Sequence, residues 1–519
     1  MNGAQSLIRT LVDGGVDVCF MNPGTSEMHF VAALDSVPAM RGVLGLFEGV
    51  ATGAADGYAR MAGRPAGVLL HLGPGLGNGI ANLHNARRAF TPVVNIVGDH
   101  ATYHKQYDAP LESDIVSLAD PVSKWVRTSS SAADVSRDAA DAIAAARSAP
   151  GGVATLILPA DVSWSEAPAA PGATVEFPAR RTVSQDALDA AVKALRSGEP
   201  AALLVGGSAT DEPALRAASR VAGAAGAKLL CETFPARLER GAGVPAVERL
   251  GYLAEFMQMQ LSGLRHLVIV DAKEPVSFFA YPGKPSRLVP EGCEVHVLAS
   301  GADDALGALE AVADGLGAPA DAYANAPASR PERPSGDLTA ETFASAVGAL
   351  LPEGAIVVDE GNTSGLWVST ATAGAPRHDW LCLTGGAIGY GLPAATGAAI
   401  ACPERPVVAL EADGSAMYTL SGLWTHAREG LDITTVILDN GKYAILDLEL
   451  DRVGAEAPGP KAKAMLELAP PRLDFVSIGT GMGVPSTRAT TADELADQFA
   501  RAVSEPGPHL VAATLPARF

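Results

Sequence analysis

The chain has 519 residues, and its formal charge is −20 because 58 Asp and Glu outnumber 38 Lys and Arg. At this length we expect about two to four domains. A hydrophobic fraction of 48% predicts a large buried core and argues against intrinsic disorder. The acidic excess argues against a protein that binds nucleic acid or an anionic membrane surface through a basic face.

Targeting and redox signals exclude further classes. The apolar runs are too short to span a bilayer, and the N-terminal residues have neither the positive region nor the long apolar region of a signal peptide. The five cysteines are scattered and never spaced as C-x-x-C, which predicts neither a disulfide framework nor a zinc site. We therefore expect a cytoplasmic protein.

Two stretches rich in Pro and Ala, 165–181 and 315–336, lack periodicity and predict linkers. They divide the chain into predicted domains 1–165, 182–315 and 337–519. In each domain, short apolar runs alternate with helical patterns, as in parallel sheets covered on both faces. The predicted fold class is therefore α/β, with three domains that each contain a mainly parallel sheet flanked by helices. The candidate strands are 16–20, 42–47, 66–72, 92–97, 201–205, 229–231, 267–270, 294–298, 355–359, 380–383, 406–410 and 434–438.

Polar groups follow the last two of these strands. Asp413-Gly414-Ser415 comes soon after strand 406–410, and Asn440-Gly441-Lys442-Tyr443 comes soon after strand 434–438. Between them we expect a helix from Met417 to about Glu429. Gly414 lets the backbone approach a phosphate, and Ser415 can donate hydrogen bonds to it. Asp413, Asn440 and the main-chain carbonyl of Lys442 offer the oxygen ligands that Mg²⁺ prefers. The alternative is that both groups are ordinary turns.

The spacing of these two groups resembles the thiamine diphosphate motif of thiamine-dependent enzymes, although Ala412 stands where that motif usually has Gly. In the first domain, 48–60 begins with Glu48 and ends in Gly-Tyr-Ala-Arg, and it resembles the activating-glutamate segment of the same enzymes. Three more segments resemble parts of these enzymes. Segment 22–27 resembles the first active-site loop, and 73–78 resembles the Gly-rich loop after the second strand. Segment 385–393 resembles the segment beneath the thiazolium ring of the cofactor.

Within these enzymes the chain resembles the group of acetolactate synthases, pyruvate oxidases and 2-oxo acid decarboxylases. In detail it is most similar to benzoylformate decarboxylase, through the hydroxyl of Thr25 after Asn-Pro-Gly and through His71 at a strand end. The resemblance implies pyrimidine-binding, middle and diphosphate-binding domains. It also implies non-oxidative decarboxylation of a 2-oxo acid, with or without acyloin carboligation.

The implied cofactors are thiamine diphosphate and Mg²⁺, while FAD is conceivable but not expected. Glu48 would share a proton with the aminopyrimidine ring, and Ile388 would hold the cofactor bent. His71 is the candidate acid/base, and Thr25 would bind the substrate carboxylate. The alternatives are a core histidine for His71 and a helix-terminal carboxylate for Glu48.

The residues that the resemblance implies in cofactor binding are Pro23, Gly24, Glu48, Asn78, Asn362, Thr363, Gly386, Ile388, Asp413, Gly414, Ser415, Asn440, Lys442 and Tyr443. The implied metal ligands are Asp413, Asn440 and Lys442. The implied substrate-binding residues are Thr25, His71 and His104. The partners would be a small 2-oxo acid and further copies of the chain, as a homodimer or homotetramer with active sites at subunit interfaces. We expect no nucleic-acid or membrane partner.

The sequence departs from benzoylformate decarboxylase at 275–282, which contains no histidine where that enzyme has a second catalytic one. Phe278, Phe279 and Tyr281 in this stretch predict either an apolar wall of the site or core packing. Acetolactate synthases usually have Gln at the position of Gly49. Two other functions therefore stay open: a transferase that condenses two 2-oxo acids, as acetolactate synthase does, and a non-catalytic relative that binds the cofactor.

Overall fold

A computed structural model of the chain describes residues 1–168, 175, 177–455 and 459–517. It contains three mainly parallel sheets, each flanked by helices, so the predicted fold class is confirmed. Part of the first predicted linker, 169–174 and 176, lies outside the described residues. Within the described ranges, no helix combines the length and the apolar character needed to cross a membrane.

The first sheet is entirely parallel and has six strands in the order β2-β1-β3-β4-β6-β5. Its strands are β1 Val18–Met21, β2 Arg41–Leu44, β3 Ala66–Leu70, β4 Val93–Asp99, β5 Trp125–Thr128 and β6 Val153–Pro159. Its helices are α1 Gly3–Asp13, α2 Met28–Ala33, α3 Glu48–Ala62, α4 Leu72–Arg88, α5 Ile115–Ala119, α6 Val135–Arg147 and α7 Ala160–Trp164.

The middle sheet has five parallel strands in the order β10-β8-β7-β11-β12, so β12 is an edge strand. Its strands are β7 Ala201–Val205, β8 Lys228–Cys231, β10 Glu248–Arg249, β11 His266–Val270 and β12 Glu294–Ala299. Between them in the chain lies β9 Leu238–Arg240, which belongs to the third sheet. The helices are α8 Gln185–Leu195, α9 Glu212–Ala225, α10 Ala254–Leu261 and α11 Ala305–Leu316.

The third sheet has seven strands in the order β17-β18-β16-β15-β13-β14-β9, and only β9 is antiparallel to its neighbour. The remaining strands are β13 Ile356–Glu360, β14 His378–Cys382, β15 Val407–Ala412, β16 Ile433–Asp439, β17 Ser486–Ala489 and β18 His509–Thr514. The helices are α12 Ala340–Leu350, α13 Val368–Ala371, α14 Gly391–Ala401, α15 Asp413–Ala416, α16 Gly422–Glu429, α17 Ala444–Arg452, α18 Pro460–Ala464, α19 Phe475–Gly481 and α20 Ala492–Ala502.

Without β9, the third sheet repeats the strand order of the first. When the six strands of each sheet are numbered in chain order, and the third sheet is read from β14 to β17, both sheets have the order 2-1-3-4-6-5. The chain therefore contains the same doubly wound topology twice, with a third parallel sheet between the two copies. In such sheets a ligand crevice opens where the strand order reverses, at the carboxyl ends of the first and third strands.

All twelve predicted strand segments overlap strands of the structure, but two interpretations of helix and loop were wrong. Segment 73–78, predicted as a Gly-rich loop, lies in the first turns of α4. The predicted helix from Met417 to about Glu429 is shorter, because Asp413 already begins the short helix α15 and α16 begins only at Gly422. In segment 73–78 the glycines were taken to mark a loop, yet they lie inside a helix.

Helices α3 and α14 join the two repeated sheets at an unusually close crossing. A Cβ built on Gly57 would lie 2.1 Å from the carbonyl oxygen of Ala394, and one built on Gly397 would lie 1.9 Å from that of Ala54. Glycine is thus required on both helices, because any side chain would overlap the facing backbone. The small residues of α3 allow nearly the whole helix to be buried.

We predict that Gly57→Ala lowers the stability of the folded chain, because the added methyl group must push α14 away. Overpacking of this kind costs about 1–3 kcal/mol. Gly223→Ala in α9 is the matched control, since a Cβ there meets only the Ala322 carbonyl oxygen, at 3.9 Å. That control should be neutral or stabilising. Thermal unfolding midpoints of the two variants check this, and equal shifts in the same direction would contradict it.

Candidate active site

The predicted site residues lie at the two equivalent crevices of the repeated sheets. In the first sheet, the segments after β1 and β3 carry Gly24 and His71. In the third sheet, the segments after β13, β15 and β16 carry Asn362, Asp413 and Asn440. Because β1 and β3 are neighbours, as are β13 and β15, residues far apart in sequence meet at each crevice. Topology therefore gathers the predicted residues into two groups.

Glu48 is the first residue of α3, and its carboxylate is buried beneath the start of α4. Its Oε2 accepts a hydrogen bond of 3.0 Å from Nδ2 of Asn78. A Cβ built on Gly75 would lie 3.2 Å from Oε1 of Glu48 and 3.4 Å from Cβ of His71. Gly75 thus allows Glu48 and His71 to approach the same point, and three of the predicted residues are neighbours.

A carboxylate that the sequence reasoning did not assign, Glu27, organises the histidine. Its Oε2 lies 2.8 Å from Nδ1 of His71 and accepts a 2.7 Å hydrogen bond from the backbone N–H of Gly24. Ser26 donates a hydrogen bond of 2.7 Å to Oε1 of the same carboxylate. Gly98 makes room for it, since a Cβ there would overlap Oε1. Glu27 is 2% exposed, so its charge is directed to His71 and the loop backbone rather than to water.

The sequence did contain a signal for Glu27, because Glu three residues after Gly24 is the spacing with which a side chain reaches back to the backbone at a helix start. The other predicted members of this loop are less enclosed. Thr25 is exposed and begins a short 3₁₀ helix, and Pro23 is half-buried. The structure leaves the roles of Thr25 and Pro23 as predictions.

The third-sheet crevice is built around Asp413. Its Oδ1 accepts from the backbone N–H of Gly414 at 2.8 Å, and its Oδ2 accepts from that of Gly441 at 2.7 Å. Burial raises the pKa of this carboxyl to about 6. Among the described residues, no Lys, Arg or His forms an ion pair with it. A buried carboxylate held by N–H groups, without a cationic side chain, is suited to bind a metal cation.

Asn440 and Asn362 flank this carboxylate. Oδ1 of Asn440 accepts from the backbone N–H of Lys442 at 2.9 Å, and Nδ2 of Asn362 donates to Oγ of Ser415 at 2.9 Å. Asn362 has a φ of +47°, a strained conformation often found at functional sites. The structure therefore gathers five predicted residues at one edge of the third sheet: Asn362, Asp413, Ser415, Asn440 and Lys442. It does not test whether the Lys442 carbonyl binds a metal.

The remaining predicted diphosphate contacts lie beside them. The ring of Tyr443 covers Gly414 so closely that a Cβ there would lie 2.3 Å from Cε1. Thr363 is buried in the 3₁₀ helix Asn362–Gly365. This close packing explains why glycine is needed at 414, where the backbone itself is the surface that a ligand would meet.

Two buried carboxyl groups that the sequence reasoning also missed, Glu360 and Glu411, lie side by side on β13 and β15. Glu360 accepts backbone hydrogen bonds from Gly389, Tyr390 and Gly391 at 2.7, 2.8 and 2.6 Å. Burial, and then the neighbouring Glu360, raise the pKa of Glu411 well above its usual range. Burial also raises the pKa of Glu360, to about 7, while its three N–H donors favour the ionised form. The oxygens of Glu411 have no hydrogen-bond partner among the described residues. We therefore assign the protonated form to Glu411.

The segment Thr384–Gly391, which contains the predicted Gly386 and Ile388, is held from the other side by two asparagines of α4. Nδ2 of Asn82 donates to the carbonyls of Gly49 and Gly389 at 2.8 and 3.1 Å. Nδ2 of Asn85 donates to the carbonyl of Ala387 at 2.8 Å. Ile388 packs against the core between the two sheets. The segment is thus clamped between Glu360 and helix α4.

The structure places one predicted histidine and two predicted aromatic residues at different distances from the site. His104 is exposed in the loop after β4, in ring contact with His100 and Tyr107, so its place near a substrate stays a prediction. Phe278 lies against Gly386, where a Cβ would be 2.8 Å from its ring. Tyr281 instead turns away, and its hydroxyl donates to Glu449 at 2.8 Å.

Comparison with known proteins decides the family of the chain. Residues 1–118 match the N-terminal TPP binding domain of thiamine pyrophosphate enzymes, and residues 359–513 match their C-terminal TPP binding domain. The chain belongs to the thiamine pyrophosphate enzyme family. The resemblance found in the sequence is therefore confirmed, and the two matched regions contain the two crevices.

Three proteins of known name or structure are similar to the chain over nearly its full length. A Mycobacterium tuberculosis H37Rv protein, provisionally named acetolactate synthase large subunit IlvX, is 64% identical over 521 residues, or 99% of both chains. Benzoylformate decarboxylase of Pseudomonas aeruginosa is 31% identical over 538 residues, or 96% of both chains. The solved structure of the thiamine diphosphate-dependent 4-hydroxybenzoylformate decarboxylase of Rhodococcus jostii RHA1 aligns with a TM-score of 0.87, at 25% identity and 99% coverage of both chains. The chain is thus related to both acetolactate synthases and benzoylformate decarboxylases.

We predict that Glu411→Gln makes the stability of this enzyme less dependent on pH. Above the ordinary glutamate pKa of 4.5, the folded state keeps the Glu411 proton while the unfolded state releases it. Stability should therefore fall as pH rises, by up to about 1.4 kcal/mol per pH unit. Glutamine cannot ionise, so the variant loses this slope. Urea unfolding between about pH 5 and 8 measures the slope.

Glu353→Gln is the control for that experiment, because Glu353 is exposed. Its pH dependence should match that of the wild-type chain. An unchanged slope in Glu411→Gln would mean that Glu411 is already ionised in the folded protein.

Proposed function

We propose that this thiamine pyrophosphate enzyme catalyses the non-oxidative decarboxylation of a 2-oxo acid, with thiamine diphosphate and Mg²⁺ bound between the first-sheet crevice of one copy of the chain and the third-sheet crevice of another. The observation that carries the proposal is the buried carboxylate of Glu48, held by Asn78 at the start of α3. Its counterpart is the buried carboxylate of Asp413, held by backbone N–H groups at the third sheet. One crevice therefore offers a proton-exchanging acid, and the other offers a cation site.

The oxygen donors of the third-sheet crevice fit a divalent cation bound to a diphosphate. Asp413, the side chain of Asn440 and the carbonyl of Lys442 would hold Mg²⁺, which prefers a cage shared between protein oxygens and phosphates. The backbone N–H of Ser415, at the start of α15, would face the diphosphate. Gly414 leaves room for the ring of Tyr443, which would lie beside the same group.

Thiamine diphosphate, when bound, supplies the nucleophilic carbon and the electron sink that decarboxylation requires. Glu48 would exchange a proton with the aminopyrimidine ring, and its burial keeps water from competing for that proton. Ile388, fixed by its position in the clamped segment, would press against the middle of the cofactor. Gly386 and Pro23–Gly24 would complete the surrounding surface.

His71 is suited to acid/base work because Glu27 orients it. The contact of 2.8 Å between Glu27 Oε2 and Nδ1 favours the tautomer with the proton on Nδ1. Nε2 of His71 then stays available to take or give a proton at the substrate carbonyl. The exposed hydroxyl of Thr25, on the same loop as Glu27, would bind the substrate carboxylate.

Aromatic side chains support a 2-oxo acid with a bulky apolar group. The rings of Phe278 and Phe279 are 4.9 Å apart, and Phe278 also contacts Tyr252 and Phe234 at 5.2 and 6.0 Å. Because Phe278 lies against Gly386, this cluster borders the segment that would support the cofactor. Such a wall would bind an aromatic or branched side chain through apolar contact.

The middle sheet supports the proposal that FAD is not a cofactor. Ser208 follows β7 at the edge where a dinucleotide would bind, but its N–H and Oγ donate to Asp271 at 2.9 and 2.8 Å. A Cβ built on Gly206 would lie 2.6 Å from Oε2 of Glu232, whose pKa burial raises to about 7. Carboxyl groups therefore occupy the place that a diphosphate needs.

The second candidate function is condensation of two 2-oxo acids, which the name of the 64% identical relative favours. Both reactions need the same two crevices, and they differ in whether a proton or a second carbonyl compound completes the reaction. We further propose that the chain forms a homodimer or homotetramer with shared active sites, that it is cytoplasmic, and that 1–165, 182–315 and 337–519 are its domains.

The proposed function is tested by measuring carbon dioxide release from a panel of aliphatic, branched and aromatic 2-oxo acids. We expect release that requires both thiamine diphosphate and Mg²⁺, that is abolished by chelation, and that is fastest with an aromatic or branched acid. Product analysis by mass spectrometry separates an aldehyde from an acyloin or 2-hydroxy-2-acyl acid. No release from any acid of the panel would contradict the proposal, and condensation products alone would support the second candidate.

We predict that Glu48→Gln retains the cofactor but loses about 10²–10⁴-fold in turnover, since glutamine cannot exchange the proton. Calorimetry of thiamine diphosphate binding and steady-state rates of carbon dioxide release check the two parts. Glu353→Gln, an exposed control, should change neither. Wild-type turnover in Glu48→Gln would remove Glu48 from the proposed mechanism.

A further inference from the structure

A second group of metal-binding side chains lies in the middle domain, at the amino ends of β11 and β12. His266 and Glu294 are the first residues of these parallel strands and pair directly in register, and His296 follows two residues later on β12. Because side chains alternate between faces along a strand, all three project from the same face. Among the residues that the structure describes, this is the one group of three or more His, Cys, Asp or Glu side chains whose donor atoms converge.

The distances between the donor atoms match those around a small cation. Nδ1 of His266 lies 3.2 Å from Nε2 of His296, and both nitrogens lie 3.9 Å from Oε2 of Glu294. Ligands of a tetrahedral Zn²⁺, at about 2.0–2.2 Å from the metal, are about 3.3–3.6 Å apart. The two histidine nitrogens, at 3.2 Å, are slightly closer than this spacing, and Glu294 is exposed enough to close its remaining few tenths of an ångström.

A fourth residue contacts the other ring nitrogen of the buried histidine. Oε2 of Glu199 lies 3.2 Å from Nε2 of His266, a contact that favours the tautomer with its hydrogen on Nε2 and its Nδ1 lone pair directed at His296. A carboxylate behind a histidine is the usual arrangement at metal sites, where it orients the ring and raises its basicity. Glu199 comes from the turn before β7, so three segments of the middle domain contribute to the group.

We propose that His266, His296 and Glu294 form a binding site for Zn²⁺ or a similar first-row divalent ion, with Glu199 as a positioning residue. Two imidazoles and one carboxylate favour such an ion over Mg²⁺ or Ca²⁺, which prefer oxygen ligands. The sequence-based expectation of no zinc site rested on the cysteines, all five of which are free. The histidines belong to two different strands, and only the register of the sheet brings them together.

The site would have a structural role that is separate from the reaction. Its ligands start β11 and β12, whereas the proposed catalytic residues follow the carboxyl ends of strands in the other two sheets. β12 is the edge strand of the middle sheet and pairs with β11 alone. An ion that joins His266 to two residues of β12 would therefore hold the edge strand in register. A ligand that binds only the folded state stabilises it by mass action.

The test measures zinc in the complete enzyme, saturated with thiamine diphosphate and Mg²⁺ so that the other cation site is occupied. The protein is equilibrated with Zn²⁺, freed of excess metal by gel filtration, and analysed by mass spectrometry for zinc per chain. We expect the wild-type chain to retain one zinc more than His296→Gln. Substitution with Co²⁺ should give the visible absorption of a tetrahedral site in the wild-type chain only.

His509→Gln is the matched control, because His509 has a glutamate, Glu505, at 4.0 Å but does not belong to a converging group of three. It should bind as much zinc as the wild-type chain. Glu294→Gln changes an exposed side chain and should also lose the ion, so the result does not depend on the folding of one variant. Glu199→Gln should keep the cobalt spectrum but weaken affinity by about tenfold.

Equal zinc content in the wild-type chain, His296→Gln and Glu294→Gln would overturn the proposal and leave an imidazole–imidazole hydrogen bond between the two histidines. Absence of retained zinc in the wild-type chain would do the same. Neither result bears on decarboxylation, because zinc content is measured without turnover. Thermal unfolding gives a second readout: Zn²⁺ should raise the midpoint of the wild-type chain and leave that of His296→Gln unchanged.

Discussion

The close crossing of α3 and α14 is the contact on which the rest of the site geometry depends. Two glycines and their alanine partners let the helices meet backbone to backbone, so the crossing has little freedom to slide or rotate. Each helix begins at a crevice: Glu48 is the first residue of α3, and the clamped segment with Ile388 leads into α14. The crossing therefore fixes the position of Glu48 relative to the segment that carries Ile388.

Buried charge reinforces this contact. Arg60 of α3 forms a salt bridge of 2.6 Å with Asp56 on the same helix, and its guanidinium donates to the carbonyl of Cys382 at 2.8 Å. Breaking such a buried pair leaves an uncompensated charge, which is strongly destabilising. Glu360 acts similarly on the other side, where its carboxylate ties three consecutive backbone N–H groups to β13. Both networks hold segment 384–391 in one position through directional hydrogen bonds. A purely apolar contact lacks such directionality.

The repeated topology explains how one chain presents two different chemical surfaces. The first and third sheets share a strand order, so each provides a crevice at its point of strand reversal. The first crevice carries carboxylate and imidazole groups that can exchange protons, together with the amide of Asn78, which donates a hydrogen bond to one of them. The third carries oxygen donors and backbone N–H groups suited to a cation and phosphates. In the proposed function, a cofactor with a titratable ring at one end and a diphosphate at the other would be bound by one surface of each kind.

The sequence alone determined much about this protein. Apolar runs alternating with helical patterns predicted the three parallel sheets, since a strand covered on both faces must be apolar throughout. Local motifs around Glu48 and Asp413 predicted the family, because each motif lies within one strand–loop–helix unit and its meaning does not depend on distant residues. The structure agrees with both predictions.

Only the tertiary structure decided which distant residues meet. Glu27 and His71 are 44 residues apart, Glu360 and Glu411 lie on separate strands, and the His266–His296 pair forms across a strand register. Apart from His71, which the resemblance to benzoylformate decarboxylase singled out, each of these residues looks like an ordinary polar residue in the sequence. The order and register of the strands determine which side chains become neighbours, and burial determines which of them carry a proton or a charge. Both are properties of the assembled sheets and not of any local segment.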